Sequence, residues 1–149
     1  MSAGEYCNRD VVVAQAGTSV HEAAQLMRTH HVGNLVVVDL PANGARPVGI
    51  VTDRDIVIEV VATGASVDSL TVGDIMSAEI ATVKEDTKLM DAIALMRSKG
   101  IRRLPVVDNH GSLAGILTVD DVIELVAEQL NDLTKLISVE QRHETKQRD

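Results

Sequence analysis

A seven-residue pattern whose polar members could bind a ligand occurs twice in the sequence, at 49–55 and 115–121. It reads Gly-Ile-aliphatic-Thr-x-x-Asp and marks the place where a strand-like apolar run gives way to a helix-like pattern. The glycine permits a close approach to the backbone, and a helix N-terminus beside a hydroxyl favours an anion such as phosphate. A carboxylate one turn later can accept hydrogen bonds from two vicinal hydroxyls, as in ribose recognition. The candidate ligand-binding residues are therefore Thr52 and Asp55, and Thr118 and Asp121.

The same spacing has a purely structural interpretation. Thr-x-x-Asp is also an N-capping arrangement, in which the cap alone stabilises a helix by about 1 kcal/mol. Thr71 and Asp74 share the spacing but follow no strand-like run. Spacing alone leaves both interpretations open, and the placement of the pattern after a glycine-bearing strand in both copies favours the ligand.

The elements that must position these residues are duplicated as well. Residues 18–39 align with 87–108 at a constant offset of 69, with nine of 22 pairs identical, and the match resumes at offset 66 in the two patterns. A unit of this size cannot easily close a core alone, so the two copies are expected to pack about a pseudo-twofold axis. A ligand site is then expected between them.

Each copy has the order strand, helix, strand, strand, helix. The first copy shows a short strand at 11–13, a helix from Val20 that begins with a Ser19–Glu22 capping box, strands at 35–38 and 48–51, and a helix from 52 to about 63. The second copy repeats this order from residue 80. The sequence predicts an α/β (α+β) fold of tandem βαββα repeats. The expected divisions are repeat 1 at 8–65, a connecting segment at 66–79, repeat 2 at 80–130, and a helical extension and tail at 131–149.

Composition narrows the functional classes. The net charge of −8 and the single aromatic residue, Tyr6, argue against a nucleic-acid partner. No apolar run approaches the roughly 20 residues that span a bilayer, and no signal-peptide pattern opens the sequence. We therefore expect a cytoplasmic protein without a membrane partner. Cys7 is the only cysteine, and the histidines lack ligand spacing, so we expect neither an internal disulfide nor a metal site.

Arginines distinguish the two copies. Arg54 stands beside the first pattern's aspartate, where the second copy has Asp120, and Arg102 and Arg103 precede a strand where the first copy has Gly33-Asn34. Most surface arginines only solubilise a protein or pair with carboxylates. In an acidic chain, however, three arginines close to the two patterns are also candidates for phosphate contacts.

The sequence resembles the CBS domain family, named for cystathionine beta-synthase. The resemblance covers about residues 8 to 130 and rests on the paired repeats, on Gly-Ile-Arg-Arg-Leu-Pro-Val-Val-Asp at 100–108, and on the endings at 49–55 and 115–121. It implies a CBS pair, or Bateman module, with two clefts for adenosine compounds such as AMP, ADP, ATP, NAD or S-adenosylmethionine. It also implies that Thr52 and Asp55 lie in one cleft and Thr118 and Asp121 in the other, with each aspartate on the ribose hydroxyls and each threonine near the phosphate. The base contacts that it implies lie around Val32, Val36, Thr82, Ile101 and Pro105.

The predicted function is a regulatory module that senses an adenosine-containing ligand without catalysis and acts on another protein. The family resemblance implies a homodimer formed through helices, and the apolar stripe of the last helix, from Val122 to Ile137, fits such a contact. One alternative is a dimeric structural protein with empty clefts. Another is a small magnesium-dependent nucleotide hydrolase that uses Asp53, Asp55, Asp120 and Asp121.

Overall fold

Each copy of the repeat folds into a three-stranded sheet flanked by helices. The computed structural model describes residues 1–41 and 44–148. In each sheet a short first strand runs parallel to the second strand, which pairs antiparallel with the third. The strands are β1 (Val13–Ala14), β2 (Asn34–Asp39), β3 (Arg46–Thr52), β4 (Val83–Lys84), β5 (Arg103–Val107) and β6 (Leu113–Thr118). The helices are α1 (Ala3–Tyr6), α2 (Val20–His30), α3 (Asp53–Ile56), α4 (Val72–Ile75), α5 (Leu89–Lys99) and α6 (Val119–Arg148).

The duplicated order confirms the predicted fold class, with differences at the ends of elements. The first strand of each copy has two residues, fewer than expected. The second helix of copy one is α3, which continues as a π-helical turn over Val57–Val61 before Gly64 takes a positive φ of 73°. The turn predicted at 41–44 includes residues 42–43, which lie outside the described residues. The division of the chain at 8–65, 66–79, 80–130 and 131–149 stays a prediction.

The end of α2 explains the role of His31. α2 begins at Ser19, whose hydroxyl accepts a hydrogen bond from the Glu22 amide, and it ends at His31 in the left-handed conformation with φ 54°. Gly100 occupies the equivalent place after α5 with φ 65°. His31 thus serves as a helix C-cap, a position at which glycine is the usual residue.

The two copies exchange their leading segments. Residues 2–8, which include α1, pack on the second copy, where the Asn8 amide donates to the Ile116 carbonyl at 2.8 Å. Residues 71–77, which include α4, pack on the first copy, where the Ser77 amide donates to the Ile50 carbonyl at 2.9 Å. The exchange is reciprocal, as a twofold relation requires, and it extends the 69-residue offset back to residue 2.

A small apolar cluster joins the two sheets. Val36, Val38 and Ile116 are buried together, with Val11, Ala45 and Leu113 packed around them. The Leu113 amide donates to the Ala45 carbonyl at 2.7 Å, which links the copies through their backbones. Ala45 precedes β3 and Ile116 lies in β6, so the junction links the two strands that lead into the Thr-x-x-Asp patterns.

The last helix is longer than the sequence suggested. The sequence predicts that residues 140–149 are frayed or solvated. Residues 140–148 are exposed to solvent, and they continue α6 without a break. This stretch contains no glycine or proline and is rich in Glu, Gln, Arg and Lys, which have high helix propensity. Helix propagation through a polar sequence therefore needs no apolar residue.

Candidate functional site

An apolar cavity of about 250 Å³ lies between the two copies. Its aliphatic lining comes from Ile50 on β3 of the first copy, and from Ile80, Ala81 and Ile101 in the segments that lead into β4 and β5 of the second copy. Ser77, Glu79, Arg102 and Arg103 complete the lining. A planar apolar group could lie here between aliphatic side chains. It would have no aromatic ring to stack on, because Tyr6, the one aromatic residue in the part of the chain that the structure describes, lies in another cavity.

A second, polar cavity of about 430 Å³ adjoins the first. Arg102 and Arg103 line both, so we treat the two cavities as compartments of one composite cleft. The combined size falls in the range of small-molecule sites, about 300–1,000 Å³. The residues that line the polar cavity are Asn34, Thr52, Asp53, Arg54, Arg102, Arg103, Thr118, Val119 and Asp120.

The polar cavity unites residues from both copies of the pattern. Thr52 and Thr118, which are 66 positions apart, line the same space. Their helices start in equivalent ways, because the Asp53 amide donates to the Gly33 carbonyl and the Val119 amide donates to the Arg102 carbonyl, both at 2.9 Å. The lining therefore includes two threonines and three arginines, residue types that bind anions.

Two carboxylates reduce the positive charge of the polar cavity. Asp53 and Asp120 also line the polar cavity, and Asp120 Oδ1 lies 3.4 Å from Arg102 Nη2. The side chains of that pair are 71% and 79% exposed, so the ion pair contributes only about 0–1 kcal/mol. An anionic ligand could therefore displace Asp120 from Arg102 at small cost.

The first pattern forms a complete capping box. Thr52 Oγ1 accepts from the Asp55 amide at 3.1 Å, and Asp55 Oδ2 accepts from the Thr52 amide at 2.9 Å. In the second pattern Thr118 Oγ1 accepts from the Asp121 amide at 3.2 Å. The capping interpretation is thus correct for the local geometry. Asp55 does not line either compartment of the composite cleft, so its contact with a ligand stays a prediction.

The glycine of each pattern leaves room for the backbone of an exchanged leading segment. A Cβ at Gly115 would lie 2.8 Å from the Asn8 carbonyl oxygen, and one at Gly49 would lie 2.9 Å from the Ser77 carbonyl oxygen. The group that closely approaches the backbone here is the exchanged leading segment. The sequence signal was genuine, but it does not by itself indicate a ligand.

Asp121 lies apart from the composite cleft. It lines a separate cavity of about 270 Å³ with Tyr6, Cys7 and Asn8 of the leading segment, and with Glu124, Leu125 and Glu128 of α6. Burial raises the pKa of the Cys7 thiol above its ordinary value, despite the opposing effect of Arg9. A thiol with a raised pKa is less ionised at neutral pH and is a poor nucleophile.

The positions expected near a base differ in exposure. Ile101 lines the apolar cavity. Val36 and Pro105 are fully buried and closed off from solvent. Val32 packs on the core of the first copy, and Thr82 is exposed.

Sequence reasoning missed several lining residues. Ile50, Ser77, Glu79, Ile80 and Ala81 were not among the expected contacts, although they border the apolar cavity. Only Ile50 had a sequence signal, because an isoleucine follows the glycine of the pattern in both copies, whereas residues 77–81 and 8–12 share no identical pair.

The described residues contain neither a metal-binding cluster nor a helix that could span a membrane. Within residues 1–41 and 44–148, the structure contains no cluster of three or more His, Cys, Asp or Glu side chains placed to hold a metal ion. Over the same residues, each helix falls short of the length or the apolar content that a membrane span requires.

Comparison with known proteins extends these observations. A CBS domain family model matches residues 3–62 and 72–128. An uncharacterised protein of Methanopyrus kandleri is 42% identical over 125 residues, which cover 84% of this chain and 62% of that protein. The chain therefore spans less than two thirds of that relative. The CBS domain-containing protein YhcV of Bacillus subtilis is 35% identical over 119 residues, which cover 76% of this chain and 81% of YhcV.

A solved structure is similar over nearly its whole length. The CBS domain pair of protein MJ0100, in complex with 5′-methylthioadenosine and S-adenosyl-L-methionine, superposes with a TM-score of 0.74. The two sequences are 26% identical, and the match covers 87% of this chain and 98% of the other. Both of those ligands contain adenosine.

Proposed function

The chain belongs to the CBS domain family, with two CBS domains in tandem, and on that premise we propose that it is a non-catalytic regulatory module that senses an adenosine-containing ligand. The observation that carries the proposal is the composite cleft, in which an aliphatic compartment adjoins a compartment lined by three arginines and two threonines. Such a cleft suits a ligand with a planar apolar base at one end and an anionic group at the other.

The proposed orientation follows from this polarity. The adenine lies among Ile50, Ile80 and Ile101, and the phosphates lie by Arg102 and Arg103. The Asp55 carboxylate, at the start of α3, is the proposed ribose acceptor. Asp121 would serve a second site beside the leading segment. The ligands bound by the MJ0100 domain pair support the adenosine class.

The arginines narrow the choice within that class. AMP, ADP, ATP and NAD carry phosphates for which guanidinium is a strong bidentate partner, whereas S-adenosylmethionine carries a sulfonium and an ammonium against one carboxylate and is a net cation at neutral pH. We therefore place phosphate-bearing adenosine ligands ahead of S-adenosylmethionine. Because such nucleotides are abundant in the cytoplasm, a cytoplasmic location is part of the proposal.

The proposed output is a change in association with another protein. The exposed apolar faces of α3 with its π-helical turn and of α6 support a homodimer, since a monomer would leave Val57, Val61 and Ile123 at 56–65% exposure. The regulated protein is a separate chain that reads the angle between the two copies or the geometry of the dimer.

Thermal unfolding against AMP, ADP, ATP, NAD and S-adenosylmethionine tests the ligand class. A bound ligand at 100 times its dissociation constant adds about 2.7 kcal/mol to the free energy of unfolding, which raises the midpoint by roughly 5–10 °C for a chain of this size. Ile101→Glu, which places a carboxylate in the apolar cavity, is expected to abolish that shift. Met90→Glu is the matched control, because Met90 is 70% exposed on α5.

The outcomes separate the sensor from the alternatives. A shift that Met90→Glu keeps and Ile101→Glu loses supports the sensor. If protein freed of co-purified ligand shows no shift with any compound, a dimeric scaffold with empty clefts becomes the better account. The hydrolase alternative is tested by incubating the protein with the nucleotides and Mg²⁺ and then separating the nucleotides by chromatography. Conversion of ATP would contradict the proposal that the protein is non-catalytic.

A further inference from the structure

The last helix presents a long apolar face to solvent. Every residue from Val126 to Arg148 is exposed, so α6 runs on beyond the body of the protein for roughly 30 Å. Its exposed apolar residues, at 45–61% exposure, are Ile123, Val126, Leu130, Leu133, Leu136, Ile137 and Val139.

The spacing of these residues indicates a helix as the partner. Ile123, Val126, Leu130, Leu133 and Ile137 follow one another at intervals of 3, 4, 3 and 4, which is the heptad spacing of a coiled-coil seam. A helix segment without tertiary contacts is marginal in water, and most helical stability comes from packing of an apolar face. The heptad continues without interruption from the part of α6 on the body into the projecting part.

We propose that α6 pairs antiparallel with α6 of a second copy of this chain, so that the apolar seam from Val126 to Ile137 on each helix packs against the same seam of the other. This inference deepens the homodimer of the proposed function and rests on it. It adds the helix, the residues and the orientation of the contact.

The exposed area is adequate for a specific dimer. A side chain of this kind offers roughly 60–100 Å² of apolar surface, so the six that lie in or beside the seam, which are all of these residues except Val139, offer roughly 360–600 Å² on each copy. Both copies together bury roughly 700–1,200 Å² before the flanking polar residues are included. Specific interfaces begin at about 1,200 Å² in total.

Charge selects the orientation. The first half of α6, residues 119–133, carries five acidic side chains and no basic one. The second half, residues 134–148, carries four basic and two acidic side chains. Parallel pairing would set the two acidic halves side by side, whereas antiparallel pairing sets each acidic half beside a basic one. The helix dipoles favour the same arrangement.

The apolar positions define the register. With the twofold axis between residues 131 and 132, Val126 meets the partner's Ile137, and Leu130 meets the partner's Leu133. All four layers are then aliphatic on both sides. Ile123 lies at the edge of the seam, near the partner's Glu140.

Light scattering on the full chain tests the contact. The wild type is expected to be a dimer, and Leu130→Glu with Leu133→Glu is expected to be a monomer with an unchanged thermal midpoint of the body. Asn131→Glu with Ser138→Glu is the matched control, because it adds two carboxylates on another face of the same helix segment and is expected to stay dimeric. A monomeric wild type, or a dimeric Leu130→Glu/Leu133→Glu variant, would overturn the proposal.

Disulfide trapping tests the orientation. In a Cys7→Ser background, a size-tagged Val126→Cys chain is mixed with an untagged Ile137→Cys chain and oxidised. Antiparallel pairing predicts that the mixed disulfide dominates and that each variant alone cross-links little. Self-cross-linking of each variant alone would show parallel pairing, and absence of every cross-link in a confirmed dimer would place the contact elsewhere; both outcomes contradict the proposal.

The same variants separate this inference from the ligand proposal. The nucleotide-induced thermal shift is measured in Leu130→Glu/Leu133→Glu alongside the wild type. A monomer that keeps the shift supports the helix contact and the sensor together. Loss of dimerisation in the variant tests only the α6 contact. Absence of the thermal shift in both proteins would contradict only the proposed nucleotide site in the cleft.

Discussion

Replacing Arg102 and Arg103 together by alanine is expected to weaken binding of a phosphate-bearing adenosine ligand by about 100-fold. A hydrogen bond to a charged group contributes about 1.5–3 kcal/mol, so the loss of two is about 3 kcal/mol or more, at 1.4 kcal/mol for each tenfold change. Both residues line the two compartments of the composite cleft. Titration calorimetry with ATP measures the change.

Arg28 and Arg97 provide the control for charge. They are an identical pair in the two copies, lie near the ends of α2 and α5, and are exposed. Arg28→Ala with Arg97→Ala makes the same change in net charge and is expected to leave the dissociation constant within about twofold, since surface charge alone acts weakly in salt. Equal affinity in the Arg102→Ala/Arg103→Ala variant and the wild type would remove the arginines from the site.

Gly115→Ala is expected to lower the free energy of unfolding by about 1–3 kcal/mol, the usual range for overpacking. The new Cβ would lie 2.5 Å from Cys7 Sγ and 2.8 Å from the Asn8 carbonyl oxygen. Because a backbone oxygen cannot rotate away, the leading segment must shift from β6. Urea denaturation measures the loss, and hydrogen exchange at the Asn8 amide is expected to become faster.

Gly17→Ala is the companion variant. A Cβ at Gly17 meets nothing within 4 Å, and its φ is not positive, so this substitution is expected to be neutral or slightly stabilising. If Gly115→Ala unfolded at the same urea concentration as Gly17→Ala, the close approach of the leading segment would not be a stabilising contact.

Local patterns allowed most of the fold to be predicted. The helical spacing from Val20 and the apolar runs at 35–38 and 104–107 arise from burial on one face or both, which the sequence records directly. Thr71 and Asp74, which share the spacing without a strand before them, form a helix cap, with the Thr71 amide donating to Asp74 Oδ2 at 2.8 Å. A helix or strand can be predicted from the sequence when its own pattern of apolar residues records which of its faces is buried.

The exchange of leading segments could not be predicted in this way. Residues 2–8 and 71–77 share one identical pair, Gly4 and Gly73, and each is too short to show periodicity. Their position depends on contacts with the opposite copy, such as Ala3 in the core of copy two. The only sequence signal was the constant offset of 69, which holds for these segments too.

Five of the candidate residues share one cavity, whereas the binding roles that the sequence assigns to them stay predictions. Thr52, Arg54, Arg102, Arg103 and Thr118 come together in one cavity, although they belong to different copies. Asp121 lies in another cavity with the leading segment. Grouping depends on how the two sheets pack, which is decided at the junction around Val36 and Ile116 rather than within either pattern.

Methyl NMR of isoleucine-labelled protein, titrated with ATP and with AMP, tests the central claim most directly. The account predicts saturable shifts at the methyl groups of Ile50, Ile80 and Ile101, which line the apolar cavity. If Ile50, Ile80 and Ile101 stayed unshifted at saturating nucleotide in ligand-free protein, the composite cleft would not be the adenosine site.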